Sequence, residues 1–112
     1  MTDVYRILAV ASGTPVLQTI YTCGSQLQGT VLSSLVVCNV SNAATTFNVA
    51  VMPGNQGGNP VLKNYLYSGT PIDALDTFIA TVGLTLSGSD YIQVQCVNNA
   101  QLAFQLYGDE LS

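Results

Sequence analysis

Apolar side chains recur at every second position over most of this chain, the period of a β-strand with one covered face. Phe47, Val49 and Val51 fall on one side of residues 45–51, with Thr46, Asn48 and Ala50 on the other. Ile92, Val94 and Cys96 alternate with Gln93 and Gln95, and Leu102, Phe104 and Leu106 alternate with Ala103 and Gln105. Between residues 32 and 40 the apolar residues occupy both faces, as in a strand covered on both sides. Weaker alternation predicts strands at 4–10, 16–22, 61–67 and 77–86, the last interrupted at Gly83. No stretch sustains a helical period; Asp73-Ala74-Leu75-Asp76 has room for a single turn.

Turn-forming residues separate these segments. Ser12-Gly13-Thr14-Pro15, Cys23-Gly24-Ser25 and Ser68-Gly69-Thr70-Pro71 mark breaks, the last of them ahead of a further strand. Ser87-Gly88-Ser89-Asp90 and Asn98-Asn99 read as hairpin turns. Residues 53–60, PGNQGGNP, form the longest polar Gly/Pro stretch and read as a flexible surface loop. About eight short strands at regular spacing predict an all-β fold: one domain over residues 1–112, an antiparallel β-sandwich of the jelly-roll-like kind.

Composition narrows the function. Apolar residues make up 48% of the 112, enough for a core, while charged residues make up 7%, against about 25% in an ordinary domain. Two basic and six acidic residues give a net charge of −4. Arg6 and Lys63 cannot build a phosphate-neutralising patch, so nucleic acid is not an expected partner. The absence of His removes imidazole as base or metal ligand. The opening Met1-Thr2-Asp3-Val4-Tyr5-Arg6 does not resemble a secretory signal. Leu35-Val36-Val37-Cys38, the longest strong apolar run, is far too short to cross a membrane, and no membrane partner is expected. Cys23, Cys38 and Cys96 show no CxxC spacing and read as buried free thiols in a reducing compartment.

The remaining residues offer little chemistry. The acids read as turn caps, and the adjacent Asp109 and Glu110 would point to opposite faces of a strand. A Ser or Thr nucleophile would have only Lys63 as base, and Pro60, not Ser, stands three residues before it. The loop glycines Gly54, Gly57 and Gly58 lack the Lys-Ser/Thr that completes a phosphate cradle. The sequon Asn39-Val40-Ser41 lies within a strand pattern. No catalytic, cofactor or metal residue is assigned, and the chain reads as non-enzymatic. Tyr65 and Tyr67 alternate onto one face and are candidates for interface anchors, or less readily for sugar stacking.

The charge deficit is the informative feature. Soluble monomers usually spread charge over a quarter or more of their surface, and edge strands use Lys to repel other edges. The outward positions here carry Thr, Asn, Gln, Ala and Tyr. Such a surface is cheap to desolvate and suits a subunit packed against copies of itself or against neighbours.

An ordered series of segments resembles a family of small virion structural proteins of tailed bacteriophages, including those of cyanobacterial and marine hosts. The segments are YRIL at residues 5–8, LQTIY at 17–21, VLSSLVVCN at 31–39, TFNVAV at 46–51 and YLY at 65–67. They continue with PI at 71–72, DTF at 76–78, GLTL at 83–86, DYIQV at 90–94 and FQLYGDE at 104–110. Members of that family often carry more Arg or Lys in the strand after the SSLVVCN segment, where Asn48 stands here. The resemblance implies a virion component, assembled in the host cytoplasm. The first expectation is a capsid decoration or cement protein, a symmetric homo-oligomer such as a trimer, bound to the major capsid protein. The alternative is a tail, baseplate, collar or fibre-attachment subunit; a glycan-binding module is a third. Expected contacts are Tyr65 and Tyr67, then Asn55, Gln56 and Asn59 on a reaching arm, and Tyr5 and Arg6 in a segment that adds a strand to a neighbour's sheet.

Overall fold

The computed structural model describes residues 3–111, and side chains from Tyr5 onward. Eight strands are present: β1 (Asp3–Ser12), β2 (Gln18–Thr22), β3 (Gly29–Asn39), β4 (Thr45–Met52), β5 (Tyr65–Ile72), β6 (Thr77–Leu86), β7 (Tyr91–Cys96) and β8 (Leu102–Leu111). A single 3-10 turn covers Leu62–Asn64. The strands form two antiparallel four-stranded sheets, ordered β1-β8-β3-β6 and β2-β7-β4-β5. Pairs β1·β8, β2·β7, β3·β6 and β4·β5 nest around the middle of the chain, like one long hairpin folded over itself. That topology is the eight-stranded jelly roll, a β-sandwich as the alternation predicts.

The nesting overturns two local readings. Residues 87–90 and 98–99 are not hairpin turns, because β6 to β7 and β7 to β8 both cross from one sheet to the other. Among consecutive strands only β4 and β5 pair with each other, across the loop of residues 53–64. Turn chemistry reverses the chain but does not choose which sheet the next strand joins. The fifth strand is also displaced. The expected strand over 61–67 gives way to the 3-10 turn, and β5 runs on through Ser68-Gly69-Thr70-Pro71. Gly69 takes a φ of +60° and the pairing with β4 shifts register twice, so the break residues become bulges within an edge strand. Gly83, at φ +59°, likewise interrupts β6 without ending it.

The core lies between the sheets and is centred on Phe47. Its ring sits 5.3 Å from Phe78, 6.2 Å from Phe104 and 6.1 Å from Tyr67 by centroids, and Tyr67 packs 5.1 Å from Phe78. β4 and β5 contribute Phe47 and Tyr67 from one sheet; β6 and β8 contribute Phe78 and Phe104 from the other. Leu35, Val37, Val49, Ile92, Val94 and Leu106 fill the space around them. The expectation that β3 is covered on both faces fails: its inward residues are buried, but Val36 and Cys38 remain half-exposed. β3 is interior to its sheet, and only one face of that sheet is the core.

Buried Asn39 stitches one end of the sandwich. Its Nδ2 donates to the carbonyls of Ala43 at 2.8 Å and Asp73 at 3.1 Å, and its Oδ1 accepts from the Ser41 amide and hydroxyl. The sequon asparagine thus ties the β3–β4 connection to the β5–β6 connection.

Candidate interaction surface

Strand register decides what each sheet shows to its surroundings. Val10, Gln105, Val36 and Ile79 stand side by side across β1, β8, β3 and β6. The rows on either side of them, Ala11-Phe104-Val37-Phe78 and Ala9-Leu106-Leu35-Ala80, hold core residues, so this row points outward. The next outward rows are Ser12-Ala103-Cys38-Thr77 and Ile7-Tyr107-Ser34-Thr81. None of these twelve side chains is charged. Val10 is 66% exposed, Ile79 68% and Ile7 56%. Covering such a face removes apolar surface from water and strips hydration from no ion.

The second sheet covers much of its own outer face. Ala50 and Met52 point outward, opposite Gln93 and Tyr91, yet both are buried and stand apart from the main core. The β4–β5 loop returns across this side and is fastened there. The Gly54 amide donates to Asp90 Oδ1 at 2.8 Å, the Tyr91 hydroxyl donates to the Gln56 carbonyl at 2.7 Å, and Asn64 Nδ2 donates to the Val51 carbonyl at 3.2 Å. The Gln56 and Asn64 side chains bond each other twice. The expected flexible reaching arm is therefore a tethered flap. Beside it, a groove of about 490 Å³ is lined by Val16, Leu17, Asn59, Pro60, Tyr65, Gln93 and Gln95. Gln95 bonds Asn48 and the Pro15 carbonyl, and Gln93 Nε2 donates to Thr19, whereas Gln93 Oε1 is buried with no hydrogen-bond partner among the described residues.

The residues singled out by sequence are dispersed. Tyr67 packs against the core, whereas Tyr65 lines the outer groove, so the two do not share a face. The cause is a bulge: Tyr67 pairs with Val49 and Tyr65 with Ala50, a step of two residues on β5 against one on β4. Tyr65 and Tyr67 therefore do not form a two-ring platform for a sugar. Gln56 is a tether, while Asn55 and Asn59 are exposed on the flap. Residues 3–6 belong to β1 and are already paired with β8 of their own sheet, so they are not a free arm; Met1 and Thr2 lie outside the described residues. Tyr5 is 78% exposed. Arg6 reaches Glu110 in an ion pair at 3.2 Å. Ile7, Val10 and Ile79, the most apolar outward residues of the first sheet, were missed because a weak alternation does not say which face is the open one.

Ionisable groups gather at the far end of the sandwich from Asn39. The Tyr21 hydroxyl donates to Glu110 Oε2 at 2.6 Å and lies 2.9 Å from the Thr30 hydroxyl. Burial, reinforced by the bond to Glu110, pushes its pKa up to about 12. Asp109 is buried with no hydrogen-bond partner for its Oδ1 among the described residues. No group of three or more acidic or cysteine side chains is arranged to hold a metal ion among the described residues. All three cysteines are free; Cys23 and Cys96 are buried, whereas Cys38 sits half-exposed on the open face. Burial also raises the Cys96 thiol pKa.

Neither the protein-family models nor the curated proteins contain a match. Among solved structures the chain is similar to the coat protein of Tobacco streak virus, solved as a dimer, with 11% identity over 99% of this chain and 86% of that one and a TM-score of 0.45.

Proposed function

We propose that this protein is a structural subunit of a virus particle and works by being covered by its neighbours. The observation that carries the reading is the open face of the first sheet: three outward rows without a charge, with Ile7, Val10 and Ile79 standing in water. An isolated soluble domain gains nothing from that arrangement, whereas an assembled subunit buries it. The jelly roll recurs in viral capsid and lectin domains, and this fold-level analogy supports the same reading.

Within it, a decoration or cement protein of a tailed-phage capsid comes first, on the strength of the segment series described above. A protein that binds the assembled shell but not free shell subunits stabilises the shell by mass action. The experiment is deletion of the gene, with composition and heat resistance of the purified particles as readouts. Tailed particles that inactivate at lower temperature are expected. Heat-resistant particles without tails would move the subunit to the tail. Wild-type particles that never contain the chain would overturn the reading.

A further inference from the structure

We propose that β6 pairs with the β6 of a second copy, antiparallel about a two-fold axis at Ile79, joining two four-stranded sheets into one of eight. The proposal rests on the reading of the chain as an assembling subunit and names the contact by which it assembles.

The four sheet edges are not alike. β1 carries Asp3 and Arg6 and bulges between Ile7 and Ala9. β2 has five residues and follows closely on Pro15. β5 contains Pro71, the left-handed Gly69 and two register shifts. Charge, shortness, proline and bulges are the devices by which natural edges refuse further strands. β6 has ten residues, no charge and no proline. From Thr77 to Thr81 it pairs with Cys38 to Ser34 without interruption, and its bulge at Gly83 lies beyond that stretch.

A free strand edge presents backbone N–H and C=O groups, so its occupant is an extended strand. The chemistry of the edge points to a copy of itself. With Ile79 on the axis, Ile79 meets Ile79, Thr77 meets Thr81 and Phe78 meets Ala80, so outward residues face outward residues and core residues face core residues. The outward row from Val10 to Ile79 then continues through the partner's copy of the same row. Neither β6 nor its neighbour β3 contains a charged residue, and the acids just before β6, Asp73 and Asp76, lie outside the paired stretch Thr77–Thr81, so the contact sets no two charges directly opposite each other. The proposed pairing is two-fold, unlike the trimer expected from sequence.

The test uses the full chain in solution with Cys38→Ser as background, since Cys23 and Cys96 are buried. Opposed residues of an antiparallel pair lie about 4.5–5.5 Å apart by Cα, within the range a disulfide spans. Ile79→Cys should give a covalent dimer under mild oxidation. Val10→Cys, equally exposed at the far edge of the same row, should not. Ile79→Lys places two ammonium groups across the axis and should raise the dimer dissociation constant at least about tenfold, since a tenfold change needs only ~1.4 kcal/mol. Thr81→Lys is a second variant on the same face should the first fail to fold. A dimer that both lysine variants leave unchanged, or crosslinking at Val10→Cys equal to that at Ile79→Cys, overturns the β6 contact and leaves the assembling subunit standing. A chain that stays monomeric at every concentration overturns both.

Discussion

Gln56 and Asn64 exchange both hydrogen bonds of their side-chain amides: Gln56 Nε2 donates to Asn64 Oδ1 at 2.8 Å, and Asn64 Nδ2 donates to Gln56 Oε1 at 3.1 Å. Asn64 Oδ1 also accepts from the Val61 amide, and its Nδ2 also reaches the Val51 carbonyl. One buried side chain thus holds the flap in shape and fastens it to β4.

Asn64→Ala should release that flap. Removing a buried amide that satisfies Gln56, Val61 and Val51 should lower stability by about 1–3 kcal/mol. Hydrogen exchange should accelerate across residues 53–64 well ahead of global unfolding, while the β3 and β8 amides stay protected. Unchanged exchange in the flap would show that its attachment to Tyr91 and Asp90 suffices.

Tyr21 makes stability depend on pH in the alkaline range. Its pKa is about 10 when unfolded and about 12 in the fold, so the folded state favours the protonated phenol. That contribution is fully present below pH 10 and is lost as the pH rises toward 12. Denaturant midpoints of the wild type should fall through this window. Tyr21→Phe should flatten the fall and cost about 1–2 kcal/mol at neutral pH, because Glu110 and Thr30 lose a partner.

Gly108 lies where β8 runs close to β3. A Cβ there would collide with the Val31 carbonyl oxygen and lie 2.9 Å from Leu8 Cδ1. Gly108→Ala should therefore destabilise the sandwich by about 1–3 kcal/mol or more, since backbone in the middle of a sheet cannot step aside. Gly83→Ala meets nothing within 4 Å and should cost only the left-handed backbone strain, about 1–2 kcal/mol. Thermal melts of the two variants check the order.

Cys38 reports on the open face. In the free chain it should react with a maleimide well before buried Cys23 and Cys96, which should wait for unfolding. In assembled material, coverage of the face should slow Cys38 labelling at least about tenfold, if opening of the contact limits access. Equal rates in both states would mean that the face stays wet.

Strand existence was legible because Phe47, Ile92 and Phe104 sit in runs of strict alternation that only a half-buried strand satisfies. The pairing was not, because Ser87–Asp90 and Asn98-Asn99 have the composition of hairpin turns while the strands after them are claimed by the other sheet. β5 was misplaced because Gly69 and Pro71 punctuate most sequences, and here a bulge on an edge absorbs both. The flap was invisible because its order comes from Asn64 meeting Gln56, a tertiary contact with no periodic signature. The charge deficit pointed to an uncharged surface, but only the register of Val10, Val36 and Ile79 placed it on the outer face of the first sheet.

The nesting of pairs has a consequence for the order of folding. β8 follows the other seven strands in the described chain yet lies between β1 and β3, so the first sheet cannot close until residues 102–111 are in place. Until then Leu35 and Val37 lack their β8 neighbours Leu106 and Phe104, and Phe47 lacks the ring of Phe104, all more than fifty positions downstream. A fold so dependent on β8 closes late, and truncation within that strand should yield aggregate rather than a smaller domain.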